Sequence, residues 1–190
     1  MICFGDYLGS VVSALEKVQV SDSKGDALAV DEGFSRWCRI TVELKEANAT
    51  MYFIGNGASA MMASHMAADA SKNGAFCSLA FNDTALLTAV SNDTSYEYCF
   101  TFPLKRFAKP GDVLVTISSS GNSLNIVRAI QCAKELALSV VTLSGMSQDN
   151  LSRGLGDLNF YVPADTYGIV EASHQVILHC WLDMFVEEHN

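Results

Sequence analysis

Positive charge is scarce in this 190-residue sequence: 12 Lys and Arg stand against 21 Asp and Glu, for a net charge of −9. So few cations cannot neutralise a run of backbone phosphates, which argues against nucleic acid as a direct ligand. A single phosphate group remains possible, because hydroxyls and a helix N-terminus can hold one without a basic patch. Paired cysteines are also missing. Cys3, Cys38, Cys77, Cys99, Cys132 and Cys180 are never closer than 22 residues, and there is no C-x-x-C. That pattern suggests neither a zinc knuckle nor a dithiol redox centre, but buried free thiols in a reducing compartment. No apolar run is long enough to cross a bilayer. The opening MICFGDYLGS lacks the basic start and apolar centre of a secretion signal. A cytoplasmic protein with no membrane partner is expected. Neither G-x-G-x-x-G nor G-x-x-x-x-G-K-[ST] occurs, so dinucleotide and nucleoside triphosphate sites are unsupported.

What the chain does contain is apolar. Its residues are 49% hydrophobic and only 17% charged, enough for one domain over residues 1–190 with surplus that reads as subunit interface. Residues 1–48 are expected to form a helical pair. Phe4, Leu8, Val11, Val12 and Leu15 make a stripe at helical spacing. Residues 18–25 look like a connection, and residues 28–47 form a second amphipathic helix carrying Phe34, Trp37, Cys38, Ile40 and Leu44. Two helices ahead of the first strand have no place in a βαβ crossover, so they should pack across the sheet or between subunits. From residue 49 on, short apolar runs at 51–54, 77–80, 113–117, 140–143 and 158–162 alternate with helical stretches, the last at 170–187. This predicts an α/β fold with a doubly wound, flavodoxin-like, parallel five-stranded sheet flanked by helices, and ligands beyond the strands' carboxyl ends.

Two strand-to-helix corners stand out. At the first, Gly55-Asn56-Gly57-Ala58-Ser59 follows the apolar run, and His65 and Asp69, four residues apart, share a helix face suited to a metal or to proton transfer. At the second, Ser118-Ser119-Ser120-Gly121-Asn122-Ser123 precedes the helix from Leu124. One hydroxyl would cap that helix; four hydroxyls are costly to order unless a ligand sits there. The closing helix adds Glu171, His174 and His179.

Together GNGAS at 55–59, His65 with Asp69, Asn92-Asp93, GDVLVTIS at 111–118, SSSGNS at 118–123 and the final E-x7-H resemble the sugar isomerase (SIS) domain family, and the resemblance sharpens toward its phosphoheptose isomerases. It covers residue 30 to the C-terminus, and more loosely the N-terminal helices. It implies a homotetramer with sites at subunit interfaces, isomerising sedoheptulose 7-phosphate to D-glycero-D-manno-heptose 7-phosphate for heptose and surface polysaccharide biosynthesis. It implies that Ser59, Ser118, Ser119, Ser120 and Ser123 hold the phosphate, and that Asn56, Gly57, Asp93 and Glu171 contact the sugar. One zinc ion would be bound by His65, Asp69, Glu171 and His179.

Departures from the family pattern are that Asp69 is one methylene shorter than the usual Glu, that Glu171 replaces a Gln, and that Gly168 stands where some members carry a sugar-contacting Asp. Glu171 and His179 are also eight residues apart, about 12 Å along a regular helix. Both reach one metal only if Glu171 lies at a frayed helix entry or if the ligands come from different subunits. For the reaction, Asp69 is the expected base and His179 its acid/base partner in an enediol proton transfer. The alternatives are a non-catalytic SIS tetramer that binds a replication-initiator protein, as one relative of the phosphoheptose isomerases does, or an SIS isomerase or sensor for another sugar phosphate.

Overall fold

Val113–Ile117 is apolar at four of five positions and Met51–Ile54 at all four, the composition of strands covered on both faces, and these runs form the centre of the sheet. A computed structural model describes residues 3–189. In chain order the elements are α1 (Phe4–Glu16), β1 (Gln19–Asp22), β2 (Ala27–Leu28), α2 (Val30–Glu46), β3 (Thr50–Gly55), α3 (Ala58–Lys72), β4 (Cys77–Ala80), α4 (Thr84–Asp93) and α5 (Thr101–Phe107). Then follow β5 (Val113–Ser118), α6 (Leu124–Glu135), β6 (Ser139–Gly145), β7 (Leu158–Val162) and α7 (Tyr167–His189), with 3-10 turns at Tyr96–Tyr98 and Leu151–Gly154. The sheet order is β2-β1-β7-β6-β5-β3-β4.

The five strands from β3 to β7 are parallel, and among themselves they follow the flavodoxin order, as expected. Two further strands extend the sheet where a plain connection was expected. β1 pairs antiparallel with β7, Val20 opposite Phe160, and β2 pairs antiparallel with β1. The four residues Gln-Val-Ser-Asp are too short and too polar to announce a strand by period. Their sheet partner lies near the other end of the chain.

Side-chain alternation splits the sheet between two cores. Met51, Phe53, Val113, Val115 and Ile117 point to the face covered by α1, α2, α3 and α7. Tyr52, Ile54, Leu114 and Val140 point to the face covered by α5 and α6. On the first face Trp37 of α2 stacks on Trp181 of α7, centroids 4.5 Å apart and planes 11° apart. Such a pair adds about 1 kcal/mol beyond the area it buries. Trp181 Nε1 donates to Thr41 Oγ1 at 3.1 Å, satisfying the one polar atom of a fully buried ring. α2 therefore packs across the sheet, while α1 lies against α7 and turns Phe4, Leu8 and Val12 outward, all exposed. All six cysteines are free: Cys38, Cys99 and Cys132 are buried as expected, and Cys3 and Cys77 are exposed. No helix among the described residues is long and apolar enough to cross a membrane.

The register levels the carboxyl ends of the central strands: Gly55 lies opposite Ile117 and Ser118 opposite Ser144. β3 sends α3 toward β4 on one side, whereas β5 lies on its other side, so the chain's winding reverses between β3 and β5. Both sequence corners open at that reversal, where open α/β sheets bind ligands.

Candidate active site at the carboxyl edge of the sheet

Two glycines make the first corner possible. A β-carbon on Gly55 would fall 2.6 Å from the backbone carbon of Ser59, so only glycine lets α3 start this close to the strand. Gly57 has φ 57° and ψ −123°, a conformation natural to glycine alone. Ser59 is thereby set, nearly buried, in the first turn of α3. At the second corner Ser118 ends β5, and Ser123 is the N-cap of α6 without using its hydroxyl for capping. That hydroxyl and the free N–H groups of the helix's first turn are left for a ligand.

Asn56, Ser59, Ser118, Ser119, Ser120 and Ser123 line one small pocket, closed on its other side by Tyr167 and Glu171 of α7. Its volume is about 150 Å³, below the 300 Å³ or so of a whole small-molecule site. It fits the anionic end of a ligand and not a complete sugar. A larger groove of 610 Å³ lies between α1 and residues 163–169, but only Ser10, Ser13 and Thr166 bring hydroxyls to it. Asp93, expected to touch the sugar, lies outside this pocket in the exposed last turn of α4, where it accepts a hydrogen bond from Asn92 Nδ2 at 2.8 Å.

Asn56 is held by two residues that sequence reading passed over. Its Nδ2 donates to Asn125 Oδ1 (3.0 Å), and its Oδ1 accepts from Asn125 Nδ2 (2.9 Å) and from Tyr96 Oη (2.7 Å). One amide hydrogen of Asn56 is left for a ligand. Burial raises the pKa of Tyr96, which keeps its phenol a neutral donor. The available signal was Asn125 itself, an amide on the apolar stripe of α6 that continues through Ala129 and Ala133, all buried.

Two turns along α7 from Glu171, a second group assembles. His65 and Asp69 on α3 meet His179 on α7, and one ligand atom from each lies within 4.8 Å of the others. His65 Nε2 is 3.4 Å from His179 Nε2 and 3.4 Å from Asp69 Oδ2. Both distances are long for good hydrogen bonds. They match the edge of a tetrahedron built on metal–nitrogen bonds of about 2.05 Å, which is about 3.3 Å. Two imidazoles and a carboxylate are zinc-type donors, so the residues present fit a divalent ion with one position open. Glu171 is not part of this group. α7 begins at Tyr167, which places Glu171 inside regular helix and against the serine pocket, not at a frayed entry.

His174 is fully buried between these places. Its Nε2–H donates to the Ser144 carbonyl at 3.1 Å, and its Nδ1 has no partner. Burial pushes its pKa down to about 4, against a weaker opposing effect of the Ser144 hydrogen bond, so the ring is neutral.

A family model described as the SIS domain matches residues 9–145. The chain belongs to the SIS domain family. It is 33% identical over 158 residues to the phosphoheptose isomerase of Leptospira biflexa, covering 79% of this chain and 80% of that one. To the phosphoheptose isomerase of Mycobacterium tuberculosis it is 37% identical over 139 residues, 70% of each chain. The solved structure of the phosphoheptose isomerase of Neisseria gonorrhoeae superposes with a TM-score of 0.81 at 26% identity, covering 95% of this chain and 96% of that one.

Proposed function

We propose that the protein is a phosphoheptose isomerase, a sugar-phosphate aldose–ketose isomerase that converts sedoheptulose 7-phosphate to D-glycero-D-manno-heptose 7-phosphate. The observation that carries the reading is the serine corner: hydroxyls from β5, the β5–α6 turn and the start of α3 converge on a space fit for a phosphate, in a chain whose relatives are phosphoheptose isomerases.

Ser59, Ser118, Ser119, Ser120 and Ser123 hold the phosphate, aided by the N-terminus of α6. Asn56, fixed by Asn125 and Tyr96, donates its remaining amide hydrogen to a sugar hydroxyl, and Glu171 accepts from another. From Glu171 to His179 is about 12 Å along α7, a span that an extended seven-carbon phosphate can bridge. Asp69 takes the proton from C1 while a proton is supplied to the C2 carbonyl oxygen, giving the enediol; return of the proton to C2 and loss of the C1 hydroxyl proton complete the aldose. His179, one imidazole away from Asp69, exchanges the oxygen-bound proton. His65, Asp69 and His179 would hold a zinc ion, which when bound polarises the substrate oxygens.

Incubation with sedoheptulose 7-phosphate, followed by NMR, should show the aldose form. Absence of conversion with added zinc would overturn the reading.

The assembly belongs to the same proposal. Phe4, Leu8 and Val12 form an outward apolar stripe on α1, of the kind a second copy covers, and His65 and Tyr167, one at each half of the site, are exposed. A homotetramer with sites at the subunit interfaces accounts for both. Light scattering that gives a monomer mass at micromolar concentration would refute it.

A further inference from the structure

We propose that Asn150 is a positioning residue for the phosphate: it does not line the serine pocket, yet it fixes the loop whose hydroxyls do. The inference rests on the phosphate reading of the serine corner above and extends it to the turn between β6 and β7.

Against residues 118–123 lies the 3-10 turn Leu151–Gly154, and Asn150 is its N-cap. The Asn150 side chain is buried, 5% exposed, and both ends of its amide are engaged. Oδ1 accepts from the Arg153 N–H at 3.0 Å and from Ser152 Oγ at 3.2 Å. Nδ2 donates to the carbonyls of Ser147 at 2.8 Å and Gly145 at 3.2 Å, and lies 3.3 Å from Ser144 Oγ. A helix cap needs only the bond to a free N–H of the turn. The others tie that turn to the carboxyl end of β6.

The serine loop leans on what Asn150 holds at three points. Gly121 packs directly on the amide: a β-carbon there would fall inside the Asn150 carboxamide, and its φ is 63°. Its carbonyl accepts from the Ser152 N–H at 2.9 Å. One residue on, Asn122 Oδ1 accepts from the Leu151 N–H at 2.9 Å. Toward the start of the loop, the Ser119 backbone oxygen is 3.2 Å from where a β-carbon on Gly145 would stand, and Gly145 is a residue whose carbonyl Asn150 holds. Donors that are aimed together before the anion arrives bind it more tightly, because little order remains to be imposed. Asn150 supplies that order from behind, through the backbone of the loop.

The test uses two ligands. Asn150→Ser keeps an N-cap of equal quality, so the turn and the fold are retained, but its side chain is too short to hold Gly145 or to back Gly121. Affinity for inorganic phosphate and for sedoheptulose 7-phosphate, by calorimetry, should fall by the same factor, about 10-fold, the worth of one hydrogen bond to a charged group. Asn122→Ala, which removes only the exposed bond to Leu151, should lower both about 3-fold. In a protein already carrying Ser119→Ala and Ser123→Ala, Asn150→Ser should cost less than about 3-fold, because hydroxyls it aimed are gone. A merely structural role would cost the same in both backgrounds. Unchanged phosphate affinity in either single variant, a loss confined to sedoheptulose 7-phosphate, or an undiminished cost without the two serines would each overturn the assignment. Failure of the unaltered protein to bind inorganic phosphate would overturn the phosphate seat and the assignment together. Binding of phosphate without sedoheptulose 7-phosphate would leave the assignment standing and overturn only the substrate.

Discussion

His174 is neutral and sealed inside the fold, and this gives acid stability a definite origin. In the unfolded chain the ring takes up a proton at the ordinary pKa of 6.5, whereas in the folded chain it resists down to about 4. Because the folded pKa is depressed, the neutral ring's contribution is complete above pH 6.5. It is lost as the pH falls from 6.5 to about 4, where the unfolded state binds one proton more than the native state. Each pH unit in that window costs about 1.4 kcal/mol, so the whole interval costs about 3 kcal/mol, a large part of an ordinary domain's stability. The perturbation is His174→Gln, which keeps a donor for the Ser144 carbonyl but cannot titrate. Urea unfolding of both proteins at pH 7.5, 6.5, 5.5 and 4.5 reads the effect. The unaltered protein should lose about 2 kcal/mol more than the variant between pH 6.5 and 4.5, and the two curves should run nearly parallel well above pH 6.5. Parallel curves over the whole range would refute the reasoning.

Ser119→Ala combined with Ser123→Ala should weaken sugar-phosphate binding at least 10-fold with the unfolding midpoint nearly unchanged, since each hydroxyl lost removes a hydrogen bond to a charged group; unaltered affinity by calorimetry would put the phosphate elsewhere. His65→Ala should abolish binding of micromolar zinc, measured by elemental analysis after gel filtration, and most of the turnover. Asp69→Asn should keep part of the metal and lose turnover on the order of 10²-fold, and near-normal turnover would move the base role to another residue. Asn125→Ala frees the Asn56 amide, so affinity for the sugar phosphate should drop several-fold while zinc binding is untouched; loss of both together would mean a general collapse of the corner.

Much of this was readable in advance because it rests on local chemistry. β3, β5 and β6 announced themselves as apolar runs ending in glycine and serine, and His65 with Asp69 needed only the helical period to share a face. What stayed hidden depends on distance along the chain. Gln19–Asp22 is a strand only because β7 lies beside it. The position of Glu171 turns on where α7 begins, and Tyr167 starts that helix three residues ahead of the expected entry. Asn125 was passed over because an amide so near a helix start reads as part of the turn, and its inward aim becomes visible only with Asn56 and Tyr96 opposite.

The pairing of β1 with β7 bears on how the protein is made. Gln19 to Asp22 have their partners at Leu158 to Tyr161, and α1 leans on α7, the last helix described. A nascent chain emerging from a ribosome can assemble β3, β5 and β6 with their helices as each appears, but α1, β1 and β2 wait until β7 and α7 have been synthesised. During that interval β7's future neighbour is a loose hairpin, and Ala14 and Leu15 of α1 have no finished core to pack against. Closure of a loop of about 140 residues is then the step that converts an assembled core into a finished sheet, and contacts this distant are the slow ones to form.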